Sequence, residues 1–209
     1  MPRILLLAAC LLAGTAAHAQ PLLRYGVSGG LALATQSPGE DSRSGFNVGV
    51  YAEVAPLPFL AVGADLSYVQ KGQRFDNTQL LLVEGDTVLT AGTSTIALDY
   101  ASFAVTAKPS VSLSPRGPEV YAVLGPRLDL LLREKLLFGS DDVEDFTVTT
   151  ERNASTVFGY DVGVGVRLRT LLPTPVFAEA RFSGDLSEVI PEAPDVRNQV
   201  VQLRLGLDF

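Results

Sequence analysis

The sequence predicts an all-β fold, a closed eight-stranded antiparallel up-and-down barrel that crosses a membrane. Three observations lead to it. Eight segments alternate apolar and polar residues with the two-residue period of a strand. The connections between them are short and long in strict turn. Charged residues gather on the strand face that is rich in Gly, Ala and Ser, while the opposite face is almost purely aliphatic and aromatic.

The first segment, residues 24–35, sets Tyr25, Val27, Leu31 and Leu33 against Gly26, Ser28, Gly30 and Ala32. The second, 45–55, sets Phe46, Val48, Val50 and Val54 against Asn47, Gly49, Tyr51 and Glu53. The third, 59–72, sets Leu60, Val62, Ala64, Leu66 and Tyr68 against Gly63, Asp65, Ser67 and Lys71. The fourth, 99–113, opposes Phe103, Val105, Ala107 and Val111 to Ser102, Thr106, Lys108 and Ser110. In the fifth, 119–133, Leu124, Leu128, Leu130 and Leu132 oppose Gly125, Arg127, Asp129 and Arg133. The sixth, 156–169, has Phe158, Tyr160, Val162, Val164, Val166 and Leu168 against Asp161, Gly163, Gly165 and Arg167. The seventh, 175–184, has Val176, Ala178, Ala180 and Phe182 against Glu179, Arg181 and Ser183. The last, 200–209, has Val201, Leu203, Leu205, Leu207 and Phe209 against Gln202, Arg204, Gly206 and Asp208. About nine to eleven tilted residues cross a bilayer, and these segments have that length.

Residues 55–58, 114–118 and 170–174 are short connections marked by proline or glycine. Residues 36–44, 73–97, 134–155 and 185–198 are longer and more polar. In a membrane barrel the short ones are periplasmic turns and the long ones extracellular loops, and an even strand number leaves both ends in the periplasm.

The amino terminus reads as an export signal. Arg3 supplies a short basic region, residues 4–13 an apolar stretch, and Ala17-His18-Ala19 an A-x-A cleavage site. Residues 1–19 are then a signal peptide and 20–209 the barrel domain. A rival reading is a lipoprotein signal, because Leu7-Ala8-Ala9-Cys10 resembles a lipobox; cleavage there would leave too short an apolar stretch and make the A-x-A site pointless. Signal removal takes with it Met1, Cys10 and His18, the sole methionine, cysteine and histidine, and moves the formal charge from −7 to −8. Such an acidic chain is a poor partner for nucleic acid. No apolar run after the signal approaches the length of a membrane helix, which leaves barrels untouched because they dilute their apolar residues one in two.

The faces separate a membrane barrel from a soluble lipocalin-like one, which puts charge outside and apolar residues inside. Here Glu53, Asp65, Lys71, Lys108, Arg127, Asp129, Asp161, Arg167, Glu179, Arg181, Arg204 and Asp208 share a face with small residues, as a crowded lumen requires. Acids and bases are near enough in number to compensate one another. These residues are therefore expected to form a lumen charge network that packs the interior; a selectivity lining for a channel is the functional alternative.

Catalytic chemistry is hard to build here. Without histidine or cysteine after the signal, Ser/His/Asp, Cys/His and imidazole–metal sites are unavailable, and no Asp–Asp or Asp–Glu pair stands out. No cofactor is implied. Gly163-x-Gly165 lies mid-strand with no helix after it, so it reads as close packing and not as a nucleotide loop. Asp141-Asp142-Val143-Glu144-Asp145 lacks the spacing of an EF-hand and reads as a solvated run, with divalent-ion binding the alternative. Asn153-Ala154-Ser155 matches a glycosylation sequon, which means little in a bacterial protein. Tyr25, Phe46, Phe59, Tyr68, Phe103 and Phe209 lie near strand ends, where aromatic girdles meet headgroups.

Several stretches carry a family resemblance. Residues 64–72, ADLSYVQKG, are similar to an "EL-x-Y-x-x-KG" third-strand signature with Asp65 in the glutamate position. Gly125-Pro126 within 121–130, Phe158-Gly159 through Gly165, and residues 179–186, EARFSGDL, resemble the fifth-, sixth- and seventh-strand motifs. Residues 99–109 depart from the fourth-strand motif by placing Ala104 where proline is usual, although Lys108 holds the lysine position. Together they resemble the small porin-like outer-membrane β-barrel family of Bacteroidetes and their relatives, from about Tyr25 to Phe209. The resemblance implies a bacterial outer-membrane barrel with no shared catalytic site. It also implies outer-membrane lipids and lipopolysaccharide as neighbours, and assembly machinery that reads the last strand and Phe209. The expected role is structural, anchoring or interaction through the loops with an extracellular partner; the alternatives are a narrow porin-like channel, apolar-ligand transport, or a soluble periplasmic carrier.

Overall fold

The computed structural model describes residues 22–37, 42–83, 86–114, 117–140, 146–150, 156–168, 174–187 and 197–209. Its strands are β1 (Leu22–Ser37), β2 (Arg43–Leu57), β3 (Leu60–Val83), β4 (Asp86–Ser112), β5 (Glu119–Ser140), β6 (Phe146–Thr150), β7 (Thr156–Leu168), β8 (Val176–Asp185) and β9 (Arg197–Asp208). Every pairing is antiparallel. Neighbours follow chain order from β1 to β5, then β7, β8 and β9, and β9 returns to pair with β1. That closure removes both sheet edges. The chain is thus the eight-stranded barrel the alternation predicts, and the seam lies along Gly29↔Leu205 and Gly30↔Arg204.

Two features depart from the sequence reading. The polar stretch 73–97 is not a loop in the main: β3 and β4 stay paired from Gly72↔Ala97 out to Val83↔Asp86, a hairpin that projects beyond the barrel wall. Gly72 marks the start of the projection with φ 132, and a Cβ there would stand 1.9 Å from the Ile96 carbonyl oxygen. Only glycine fits both demands. The stretch 134–155 likewise contains β6, which pairs with the outer end of β5 from Glu134↔Thr150 to Phe138↔Phe146. Thr and Val recur in the sequences of both β4 and β6, and β-branched residues favour extended backbone.

The burial pattern is the reverse of a water-soluble protein's. The outer wall exposes Leu31, Leu66, Val164, Leu203 and Leu205, the last at 67%. The buried set is rich in charge. A continuous apolar outer surface of this extent demands an apolar surrounding. From Leu23 to Leu33 strand β1 advances about 33 Å at about 3.3 Å per residue. At a tilt of about 45° this spans roughly 23 Å, near the height of a lipid-facing band. Aromatic rings pair on that wall near both ends: Tyr25 with Phe209 at 6.4 Å, Phe46 with Tyr68 at 5.6 Å. Among the described residues, no helix is long and apolar enough to cross a membrane.

Candidate functional site

Alternation fixes which side chains enter the barrel, and its narrow bore decides the rest. All the residues of the expected charge network are buried on the inner face, Glu53 and Lys71 at 1% exposure and Asp129 at 0%. They form a ladder that runs the length of the lumen. At the end carrying the long connections, Lys71 Nζ lies 2.5 Å from Asp129 and 3.2 Å from Asp185. Arg127 contacts the same two carboxylates, with Nε 3.0 Å from Asp129, and reaches down to Asp161 at 3.3 Å. Arg181 then joins Asp161 at 2.9 Å to Glu179 at 2.7 Å.

Glu179 is the central junction. Arg204 approaches it at 3.6 Å while binding Asp65 at 2.6 Å and donating to Ser28 Oγ at 2.5 Å. Lys108 links Glu179, at 3.8 Å, to Glu53. Arg167 continues from Glu53 at 2.9 Å to Asp208 at 2.9 Å and Glu119 at 3.8 Å, and Arg24 ends the ladder 3.6 Å from Glu119. Neutral groups fill the gaps: Ser183 donates to Asp161 at 2.7 Å, Gln202 to Ser183 at 3.0 Å, and Asn198 to Asp185 at 3.0 Å. Each charge thus meets an opposite one in a low-dielectric interior, where a lone ion costs several kcal/mol.

Around Lys108 and Arg167 stands an aromatic sleeve. Lys108 Nζ lies 5.6 Å from the Tyr51 ring centroid, 5.4 Å from Tyr121 and 5.9 Å from Phe177, and Tyr51 donates its hydroxyl to Asp208. Cations over ring faces gain quadrupole attraction in such a site. Each ring is received by a glycine on a neighbouring strand: a Cβ would approach Tyr51 Oη to 2.4 Å at Gly26, Tyr121 Cζ to 2.4 Å at Gly165 and Phe177 Cε1 to 2.2 Å at Gly206. Close packing, not nucleotide binding, therefore accounts for Gly165.

Several members escaped the sequence reading. Asp185 falls where the chain reads as the start of a loop, yet it closes β8 and pairs with Lys71 and Arg127. Glu119 and Arg24 stand at strand beginnings with too little flanking alternation to single out. Apolar side chains also enter the lumen at its outer end: Leu98, Tyr100, Leu131 and Val157 form one cluster, and Ala32, Ala34, Val69 and Val200 another. Their strand parity is the sequence signal that places them inward. One residue is placed oppositely. Arg133 reads as inward by simple alternation, but the β4–β5 register shifts between Asp99 and Tyr100, which face Arg133 and Leu131. The extra residue, Leu132, is a bulge, and Arg133 is exposed on the outer wall.

Among the described residues no group of His, Cys, Asp and Glu is placed to hold a metal ion. The acidic run 141–145 and the sequon at Asn153 lie outside the described residues.

Comparison with solved structures places small barrels beside this chain. Ail, the attachment invasion locus protein of Yersinia pestis, is 18% identical; the match covers 89% of this chain and 98% of that one, with a TM-score of 0.43. Neisserial surface protein A is 19% identical over 90% of this chain and 97% of its own, with a TM-score of 0.48. The N-terminal barrel domain of Pseudomonas aeruginosa OprF is 10% identical over 91% and 100%, with a TM-score of 0.41. No curated protein matches the sequence. The model of the outer membrane protein beta-barrel domain matches residues 18–190, most of the chain, and the protein belongs to that family.

Proposed function

We propose that this barrel is a closed anchor: it is held in the bacterial outer membrane, conducts nothing through its lumen, and carries the β3–β4 and β5–β6 projections to the cell exterior as its contact surface. Residues 1–19 act as its export signal, and the assembly machinery reads β9 with Phe209. The observation that supports the closed lumen is the ion-pair ladder, which runs unbroken from Lys71 to Arg24 with the aromatic sleeve around its lower part. A channel selective for ions needs charges that face water. Here the charges face one another, and hydration of that column would have to break pairs and strand their partners. The projections extend well past the membrane-crossing ladder, and their role is binding, not chemistry.

Planar-bilayer recording tests the reading. The wild-type protein is expected to give no steady conductance, and a Lys108→Ala/Arg167→Ala variant, which empties the sleeve and leaves Glu53 without both its cations, is expected to give openings. Steady wild-type channels of unchanged size in that variant would refute the packed lumen and return the charges to a selectivity role.

A further inference from the structure

The bulge at Leu132 does more than interrupt a ladder. It carries Arg133 and Lys135 from the lumen parity of β5 to its outer face, where Arg133 lies opposite Asp99 and Lys135 opposite Ala97. Arg74 stands on the same wall two strands away, opposite Thr95 on β4. Arg74 and Arg133 are exposed and Lys135 is half-buried. Just below them begins the apolar wall with Tyr68, Phe103 and Leu130. Asp99, an acid of this stretch of wall, is 9% exposed and accepts from Gln70 at 3.4 Å, so the cations outnumber it at the level of the apolar boundary. A chain of net charge −7 thus turns a cationic patch outward at the boundary between its apolar wall and its long connections.

We propose that Arg74, Arg133 and Lys135 bind the phosphate groups of lipid A in the outer leaflet. The site rests on the outer-membrane reading, with the long connections outside. Acyl chains packed on the wall below bring the headgroup to the level of the cations. Guanidinium groups match phosphate oxygens with paired N–H donors, and the ammonium adds a mobile point charge. Arg133 and Lys135 have Cα atoms about 7 Å apart along one strand, and Arg74, two strands across and level with Leu137, lies about 12 Å from Lys135 and about 16 Å from Arg133. That spread suits a headgroup bearing more than one phosphate.

The test uses full-length protein recovered from outer membranes and placed in phosphatidylcholine nanodiscs containing graded mole fractions of lipid A, with bound lipid counted by native mass spectrometry. Each cation removed is expected to weaken occupancy about fivefold, so R74Q/R133Q/K135Q needs roughly a hundredfold more lipid A for half occupancy. R197Q removes an exposed cation on β9, outside the patch, and is expected to leave occupancy unchanged. Dephosphorylated lipid A and phosphatidylglycerol are expected to bind the wild type as weakly as lipid A binds the triple variant. A folded outer-membrane barrel whose occupancy ignores the triple variant, falls equally with R197Q, or is matched by phosphatidylglycerol would overturn the site alone. Recovery of the protein outside the outer-membrane fraction would overturn the location, and the site with it.

Discussion

Replacing Arg204 by methionine removes one cation from the middle of the lumen while keeping its length. Arg204 is 3% exposed and holds Asp65 at 2.6 Å and Glu179 at 3.6 Å. The two carboxylates fare differently. Glu179 keeps Arg181 at 2.7 Å and Lys108 at 3.8 Å. Asp65, 6% exposed, loses the cation it is paired with. Stranding a buried charge in this way costs about 3–5 kcal/mol. Asp65→Asn is milder, about 1–3 kcal/mol, because Arg204 can still lean on Glu179. The double variant Arg204→Met/Asp65→Leu is expected to lose less than Arg204→Met alone, since replacing both partners strands nothing. Urea unfolding in phosphatidylcholine vesicles, followed by the change in unboiled gel mobility, reads all three. An unmoved midpoint for Arg204→Met, or a double variant as damaged as Arg204→Met alone, would mean that water reaches these groups and that the lumen is not packed.

The other predictions use the same unfolding readout. Leu205→Arg, on the outer wall of the same strand, is expected to cost about 2–4 kcal/mol as a charge in the lipid band; a neutral effect would show that the wall faces water. Tyr51→Phe removes the hydroxyl donated to Asp208 and is expected to cost about 1.5–3 kcal/mol, as for a hydrogen bond to a charged group. Gly30→Val is expected to prevent closure between β1 and β9, because a Cβ there would lie 1.8 Å from the Leu203 carbonyl oxygen; normal heat-modifiable migration would contradict this. Deleting residues 76–93 and joining the strands with a short turn is expected to leave barrel folding intact, because the closing ladder lies below Phe75↔Ser94.

How much of this was legible in the sequence differs from residue to residue. Glu53, Asp65 and Arg167 could be assigned to the interior because each sits inside a long alternating run, where one face is fixed by its neighbours. Asp185 could not, since it is the last residue of its strand and the alternation ends there. Arg133 was misread because one inserted residue inverts all that follows it, and Leu132 looks like any other leucine of the apolar face. The hairpin of β3 and β4 was hidden because its apolar residues come in runs, Leu80-Leu81-Leu82-Val83 and Val88-Leu89, and do not alternate regularly with polar ones, so no single face is marked and pairing depends on the partner strand.

By itself the sequence determined the strand number, the alternation of turn lengths and the face of most side chains. These follow from the local period of extended backbone and need no knowledge of what lies across the barrel. Only the tertiary structure decided which charge meets which. Arg204 and Asp65 stand on strands that are not neighbours in the sheet, and Lys71 finds Asp185 across the bore. Those pairs are set by curvature, strand stagger and the reach of long side chains, which belong to the closed barrel as a whole. The same closure turned a list of inward charges into a continuous ladder, and a single bulge moved two cations from that lumen to the lipid-facing wall.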